Sequence, residues 1–334
     1  MKTCLTRIIL PLLTVIYTSA LYAAEITPFH TQNQSPLIQI FGLPSIAQGA
    51  VMGPGKGEMR LTLDLANNYT TDATPRERIV LDGESSRFTL HGRYGLGRRL
   101  EVGVEIPCLV IGGGFLDNFI ENYHRTFGFP NGSREQAPQN RLLYRYEKGG
   151  RPLLNVFQSD AGLGDIKLTG GWQLNRGQTD TSRGITLRAS LKLPTGDSAS
   201  LRGSGSTDLA LWLAGNRNIE LSSGNLTFFW AAGAMAMTEG KVLQEQQRPL
   251  VGFGALGAGW SPVQWFVLKI QANGHTSFFR DSDFKQVDAH AVQLTLGGTV
   301  ALSDRTSLDM GVTEDLIVSA SPDVVFHLSL SRRF

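Results

Sequence analysis

Cysteine is almost absent: the 334-residue chain has two, Cys4 and Cys108. Only Cys108 lies beyond the first 23 residues, which excludes an internal disulfide framework. No Cys/His cluster has metal-site spacing, so the sequence names neither a metal site nor a cofactor. Basic excess is missing too. The formal charge is +2, far from the strong positive balance of a nucleic-acid binder. Long apolar runs are lacking: beyond the amino terminus the longest, residues 228–237, is ten residues. A helix needs about 20 to cross a bilayer, so helical spanning is excluded. Mean hydropathy is −0.08, as in many soluble proteins. A membrane barrel shows lipid only every second residue, however, and also averages near neutral.

What is present begins with an export signal. Lys2 and Arg7 precede an apolar stretch at 8–17, followed by the small residues Ser19, Ala20, Ala23 and Ala24. This order predicts a signal peptide over residues 1–23, cleaved after Ala23. Cys4 precedes the apolar core and is misplaced for a lipoprotein acyl site. Removing Lys2 and Arg7 leaves 29 basic and 29 acidic residues, a neutral chain.

Period-two alternation dominates the rest. Leu61, Leu63 and Leu65 alternate with Arg60, Thr62 and Asp64, and Val102, Val104 and Ile106 with Glu101, Gly103 and Glu105. Similar runs centre on 88–94, 166–172, 185–193, 209–213, 226–230, 251–255, 266–270, 292–296, 308–312 and 324–330. Together they predict twelve strands within residues 57–334, rich in the turns that 38 glycines suit.

Alternation alone also fits a soluble sandwich. Three features turn the expectation to a transmembrane antiparallel up-and-down β-barrel, with both termini on the periplasmic side. Connections alternate: 95–99, 261–264 and 303–306 are tight and 175–183 and 215–223 modest, while 71–86, 107–163, 194–207, 237–250 and 276–289 are longer. Aromatic residues gather at strand ends, Tyr94, Trp172, Trp260, Trp265 and Phe334 at the turn side and Tyr69, Phe88, Phe278 and Phe326 at the loop side. The last strand carries Phe326, Leu328, Leu330 and Phe334, the pattern that periplasmic chaperones and the outer-membrane insertion machinery would read.

Several segments resemble a family of uncharacterised proteobacterial outer-membrane barrels known as a domain of unknown function. They are 33–44 (NQSPLIQIFGLP), 94–107 (YGLGRRLEVGVEIP), 113–130 (GGFLDNFIENYHRTFGFP), 162–166 (GLGDI), 191–197 (LKLPTGD), 205–209 and 313–334. GLGDI and LKLPTGD are also similar to outer-membrane barrels of meta-pathway phenol degradation. The resemblance implies a barrel, with transport among its uses and no defined substrate. Physically, Gly162 and Gly164 suit a strand entry, and Pro194 to Asp197 read as a strand stop and turn rather than a ligand loop.

Candidate chemistry lies on the face away from lipid. Arg60, Asp64, Arg93, Glu101, Glu105, Asp165, Lys167, Arg188, Lys192 and Lys269 mix both signs, lining a polar channel or pairing off to fill it. Within the longest loop, Phe115, Leu116, Phe119, Ile120 and Tyr123 fall at helical spacing. That amphipathic helix would constrict the mouth, cap it or rest on the membrane. Residues 24–56 carry Leu37, Ile38, Ile40, Phe41 and Leu43, which need cover. They would insert as a plug or pack beneath as a strap. His275 and Ser277 have the spacing of the catalytic pair in outer-membrane phospholipase A, but parity turns His275 inward and Ala289 stands where an orienting Asn belongs. The sequence thus reads as a non-enzymatic outer-membrane channel or transporter, surrounded by lipid and lipopolysaccharide and binding no nucleic acid. A closed structural or adhesion barrel is the alternative.

Overall fold

The computed structural model describes residues 24–46, 49–127, 137–176, 183–316 and 320–334. The expected signal peptide lies outside the described residues. The first strands are β1 (Gly57–Ala73), β2 (Glu77–Gly95) and β3 (Leu100–Gly112). An excursion follows, with helix α1 (Asp117–Phe127) and the short strands β4 (Leu143–Lys148), β5 (Arg151–Val156) and β6 (Asp160–Leu163). Then come β7 (Lys167–Arg176), β8 (Arg183–Lys192), β9 (Asp208–Leu221), β10 (Gly224–Met237) and β11 (Leu250–Val263). The chain ends with β12 (Phe266–His275), β13 (Ala291–Ala301), β14 (Thr306–Asp315) and β15 (Val324–Arg333).

Twelve of these close a ring. Neighbours pair antiparallel from β1 through β2, β3 and β7 to β15, and β15 returns to β1 with Leu61 opposite Leu330. Closure follows from chemistry, because lipid offers no partner to an unpaired strand edge. The twelve-strand barrel expected from alternation is therefore the observed fold. Parity works as the pattern demands: Leu61 is 52% exposed and Thr62, its neighbour, 1%. At the turn end, Gly57 and Phe334 exchange both backbone hydrogen bonds at 3.0 Å.

Two connections differ from expectation. β1 and β2 continue their ladder to Ala73 opposite Arg78, so a turn at 74–76 replaces the long loop expected over 71–86. β9 and β10 likewise run to Leu221 opposite Gly224. The β1–β2 extension survives outside the wall because β4 and β5 form a hairpin that pairs with its outer half, Tyr146 opposite Ile79. Gly149 (φ 56°) and Gly150 (φ 75°) make that hairpin turn, where both central residues need positive φ.

The apolar core sits at the loop end. Phe278, Phe279, Phe284 and Val287 from the β12–β13 loop fold inward with Leu243, Leu201, Tyr144 and Tyr146. They close over Leu37, Ile38, Ile40 and Phe41 of the amino-terminal segment, whose burial stabilises by roughly 1.5–3 kcal/mol per side chain. Phe278 is consequently no girdle residue: it is fully buried, stacked on Phe41 with ring centroids 4.9 Å apart. Phe88, Tyr94, Trp172, Trp265 and Phe334 do face outward.

Helix α1 lies at the rim rather than in the mouth. Leu116 and Ile120 are buried, whereas Phe115 and Phe119 are exposed, Phe119 with its ring 5.9 Å from Phe326 on the outer face of β15. The Tyr123 side chain lies outside the described residues. Glu84 of β2 holds the start of the helix, accepting hydrogen bonds from the backbone N–H of Phe115 (3.0 Å) and Leu116 (2.6 Å). Loss of a cap of this kind costs about 1 kcal/mol, roughly fivefold in local opening. Glu84→Ala should therefore speed proteolytic cleavage within 113–142 about fivefold while the barrel still runs as a folded band on unheated gels. An unchanged cleavage rate would show that Glu84 does not anchor the helix.

Candidate functional site

Inward parity places charged side chains at every level of the barrel, and burial forces them to pair. Nearest the turn end, Glu58 accepts hydrogen bonds from Arg60, Arg93 and Arg333, each at 3.2 Å. Glu101 lies 2.9 Å from Arg188 and 3.6 Å from Arg93. Further in, Asp309 pairs with Arg60 (3.3 Å) and Lys269 (3.2 Å), His327 with Asp64 (2.7 Å), and Lys167 with Glu105 (2.6 Å). Towards the loop end, Lys192 lies 2.5 Å from Asp165 and 3.3 Å from Asp208.

All ten charged residues singled out in the sequence thus lie on the inner face, each beside an opposite charge or a histidine. Their partners Glu58, Asp208, Asp309 and His327 were not singled out, although Glu58 and Asp309 share the parity of their neighbours on β1 and β14. Asp208 fell at the predicted edge of its strand. The GLGDI and LKLPTGD segments prove to be one unit. Asp165 accepts from the backbone N–H of Gly196 (2.7 Å), and Thr195 Oγ1 donates to Gly164 O (2.8 Å).

The amino-terminal segment threads this interior. Ala24 N donates to Gln264 O at the β11–β12 turn, 2.6 Å away. Phe29 N donates to Gln271 Oε1 (2.8 Å), and the Phe29 ring lies 3.9 Å from the Lys269 ammonium, a cation–π contact. Asn33 Nδ2 reaches His275 Nε2 at 2.9 Å. After a tight turn at 36–40 the chain returns, with Gly42 N donating to Asp208 Oδ2 (2.7 Å). Gly49 O accepts from Thr186 (2.7 Å) and Gln173 (2.9 Å), and Met52 N donates to Glu101 (2.7 Å). The passage is narrow: a Cβ on Gly49 would lie 2.5 Å from Gly184 O.

A cavity of about 360 Å³ remains at the turn end, between residues 24–28 and β9–β11. A second, of about 70 Å³, is lined by His30, Arg60, His91, Glu105 and Lys167 among others. His30, His91 and Glu105 offer ligand atoms all within 4.8 Å of one another. The absence of a metal-type cluster, read from sequence spacing, therefore does not carry over to three dimensions. His30 stands 61 positions before His91, so no linear motif could show the grouping.

The His275–Ser277 pair does not assemble. With Asn33 donating to Nε2, His275 Nδ1 donates to Thr276 O at 3.0 Å. The Ser277 hydroxyl donates to Phe279 O at 2.6 Å. Histidine and serine are thus each engaged elsewhere, without the nucleophile–base hydrogen bond that a hydrolase needs. The terminal-strand residues Leu328, Leu330 and Phe334 are exposed on the outer face, and Phe326 lies under Phe119.

Wall and parity define a closed twelve-stranded antiparallel β-barrel with an apolar outer face and a polar inner one, the build of outer-membrane barrels. The chain belongs to the family described as Protein of unknown function (DUF3187), whose model matches residues 4–334. No curated protein matches it. Among solved structures it is similar to the COG4313 outer membrane channel from Pseudomonas putida F1, at 13% identity and a TM-score of 0.53, over 85% of this chain and 97% of that one. The NanC porin matches at 6% identity and a TM-score of 0.46, over 82% and 98% of the two chains. The toluene transporter TbuX of Ralstonia pickettii matches at 10% identity and a TM-score of 0.36, over 85% and 90%. At these identities the likeness concerns the fold.

Proposed function

We propose that the protein is a passive channel or transporter of the Gram-negative outer membrane for small solutes or hydrophobic compounds, closed at rest by its own amino-terminal segment. The passage of residues 24–46 and 49–56 through the interior carries this reading. The segment rests on inward side chains of at least six strands, including Gln271, Asp208, Gln173, Thr186, Glu101 and Arg87. Most of its bonds are single hydrogen bonds to side chains, so it can leave without unpairing a strand. The wall offers no strong charge selectivity, since its cations and anions are paired. The likeness of GLGDI and LKLPTGD to barrels of phenol degradation supports including aromatic compounds among the solutes tried. In this reading the turn end faces the periplasm, lipid and lipopolysaccharide surround the wall, and the last strand addresses the insertion machinery.

The paired interior also supports a second reading, a closed structural or adhesion barrel acting through its outer loops. Planar bilayers separate the two. The channel reading expects brief openings of the full-length protein and frequent ones of Gly49→Val, because the added carbon atoms collide with the Gly184 and Asn216 backbone and push the segment off the wall. Equal, near-zero conductance of both would favour the structural barrel.

A further inference from the structure

We propose that His30, His91 and Glu105 form a binding site for one divalent transition-metal ion, Zn²⁺ in type, that clamps the amino-terminal segment to the barrel wall. The inference is independent of transport and holds whether or not the lumen conducts.

Three observations converge on it. The first is placement. His91 of β2 and Glu105 of β3 are direct cross-strand partners and both point inward. His30 comes from the threaded segment and sits over them, its ring centroid 4.0 Å from that of His91 and steeply inclined to it. His30 Nε2 and His91 Nδ1 lie 3.8 and 3.7 Å from the same oxygen, Glu105 Oε1. A tetrahedral ion with bonds of about 2.0–2.1 Å holds its donors roughly 3.3 Å apart, so the three donors, all within 4.8 Å of one another, draw together to complete the site.

The second observation is unmet bonding capacity. His91 Nε2 and His30 Nδ1 are buried without a hydrogen-bond partner among the described residues, while His91 Nδ1 faces Glu105 Oε1 from 3.7 Å, longer than a well-formed hydrogen bond. Buried polar atoms in a folded protein nearly always have a partner, and two imidazoles with unmet nitrogens beside one carboxylate oxygen point to a ligand. A metal takes one lone pair from each neutral ring and one from the carboxylate. The adjoining cavity of about 70 Å³ has room for the ion and a water to fill the fourth position.

The third is the surrounding shell. Lys167 lies 2.6 Å from Glu105 Oε2, which fixes the carboxylate and leaves Oε1 turned to the histidines. Arg60 also borders the cavity, but it is engaged by Glu58 and Asp309. A single carboxylate, already paired with Lys167, selects against calcium and magnesium, which need several oxygen ligands. Two imidazoles and one carboxylate instead suit zinc, nickel or copper.

The test uses the full-length barrel, purified without a histidine tag and folded in detergent. Co²⁺ is titrated first, read by the visible absorption of a tetrahedral site, and Zn²⁺ is then added to displace it. The expected result is one Co²⁺ per chain, released by Zn²⁺, with binding lost in His30→Ala and His91→Ala and kept in His290→Ala. Zn²⁺ should also raise the temperature at which wild-type protein loses its folded gel mobility, and leave that of His30→Ala unmoved. His30 lies outside the strands, so this variant keeps the wall, and its folded mobility on unheated gels verifies that. Absence of saturable Co²⁺ and Zn²⁺ binding in wild-type protein overturns the proposal by itself. Undiminished binding in His30→Ala overturns it equally.

Discussion

Deletion of residues 25–50 is expected to convert brief, small conductances into a continuously open pore. The segment occupies the interior of a twelve-stranded barrel, a size between the filled eight-stranded barrels and the open porins. Removing it takes out Phe29, Leu37, Ile38, Ile40, Phe41, Leu43 and Ile46, all buried. The wall keeps its structure because each strand ladder closes without the segment: β1 still pairs with β2 and β15. Asp208, Gln173 and Lys167 lose partners in the segment, but they gain water and are not stranded in a dry interior. Lumen charges stay paired across the wall, Lys167 with Glu105 and Arg188 with Glu101. Conductance in planar bilayers should rise roughly tenfold or more, as expected when a filled barrel becomes an open one. A synthetic peptide of residues 24–56, added to the turn-end side, should block it again. Unchanged conductance on deletion would sink the plug and leave the segment a structural strap inside a barrel closed by other means.

The wall was legible in the sequence because a single rule writes it. Every strand carries apolar residues two apart, and lipid on one side and charge on the other enforce the same parity in the structure. The hairpin β4–β5 is absent from the twelve predicted strands although the sequence carries its signal: Tyr144 and Tyr146 alternate with Arg145 and Glu147, and Gly149–Gly150 follows. It lies inside the single long loop that alternation predicts over 107–163, and its apolar face packs on the extension of β2, not on lipid. The interior was legible only by type. Parity says that Arg60 points inward, but not that it meets Asp309, 249 positions away across the closed ring. Pairings of that kind are set by closure, register and the course of the threaded segment, and none of these has a local sequence signal. His30, His91 and Glu105 illustrate the limit: two ordinary strand positions become a potential site only when a third residue arrives from the segment.

Among interior residues, Lys192 should be the costliest to lose. Its ammonium serves four partners from three directions: Asp165 (2.5 Å), Asp208 (3.3 Å), Ser204 Oγ (2.6 Å) and Ile40 O (3.4 Å). Asp165 also orders the Gly196 turn, and Asp208 receives Gly42 N, so one cation neutralises the carboxylates that tie two outer loops and the threaded segment together. Lys192→Met keeps much of the stem but strands two buried carboxylates, which are 5% and 1% exposed. Breaking a buried pair from one side costs about 3–5 kcal/mol, well above the worth of any exposed ion pair here. The temperature at which the barrel loses its folded gel mobility should fall by roughly 10 °C. Lys192→Met combined with Asp208→Asn should recover part of that loss, because only Asp165 is then left with an unbalanced charge while Gly42 N keeps an acceptor. A shift of under about 2 °C for the single variant would mean that water reaches these carboxylates, and that the loop end of the barrel is wetter than its packing indicates.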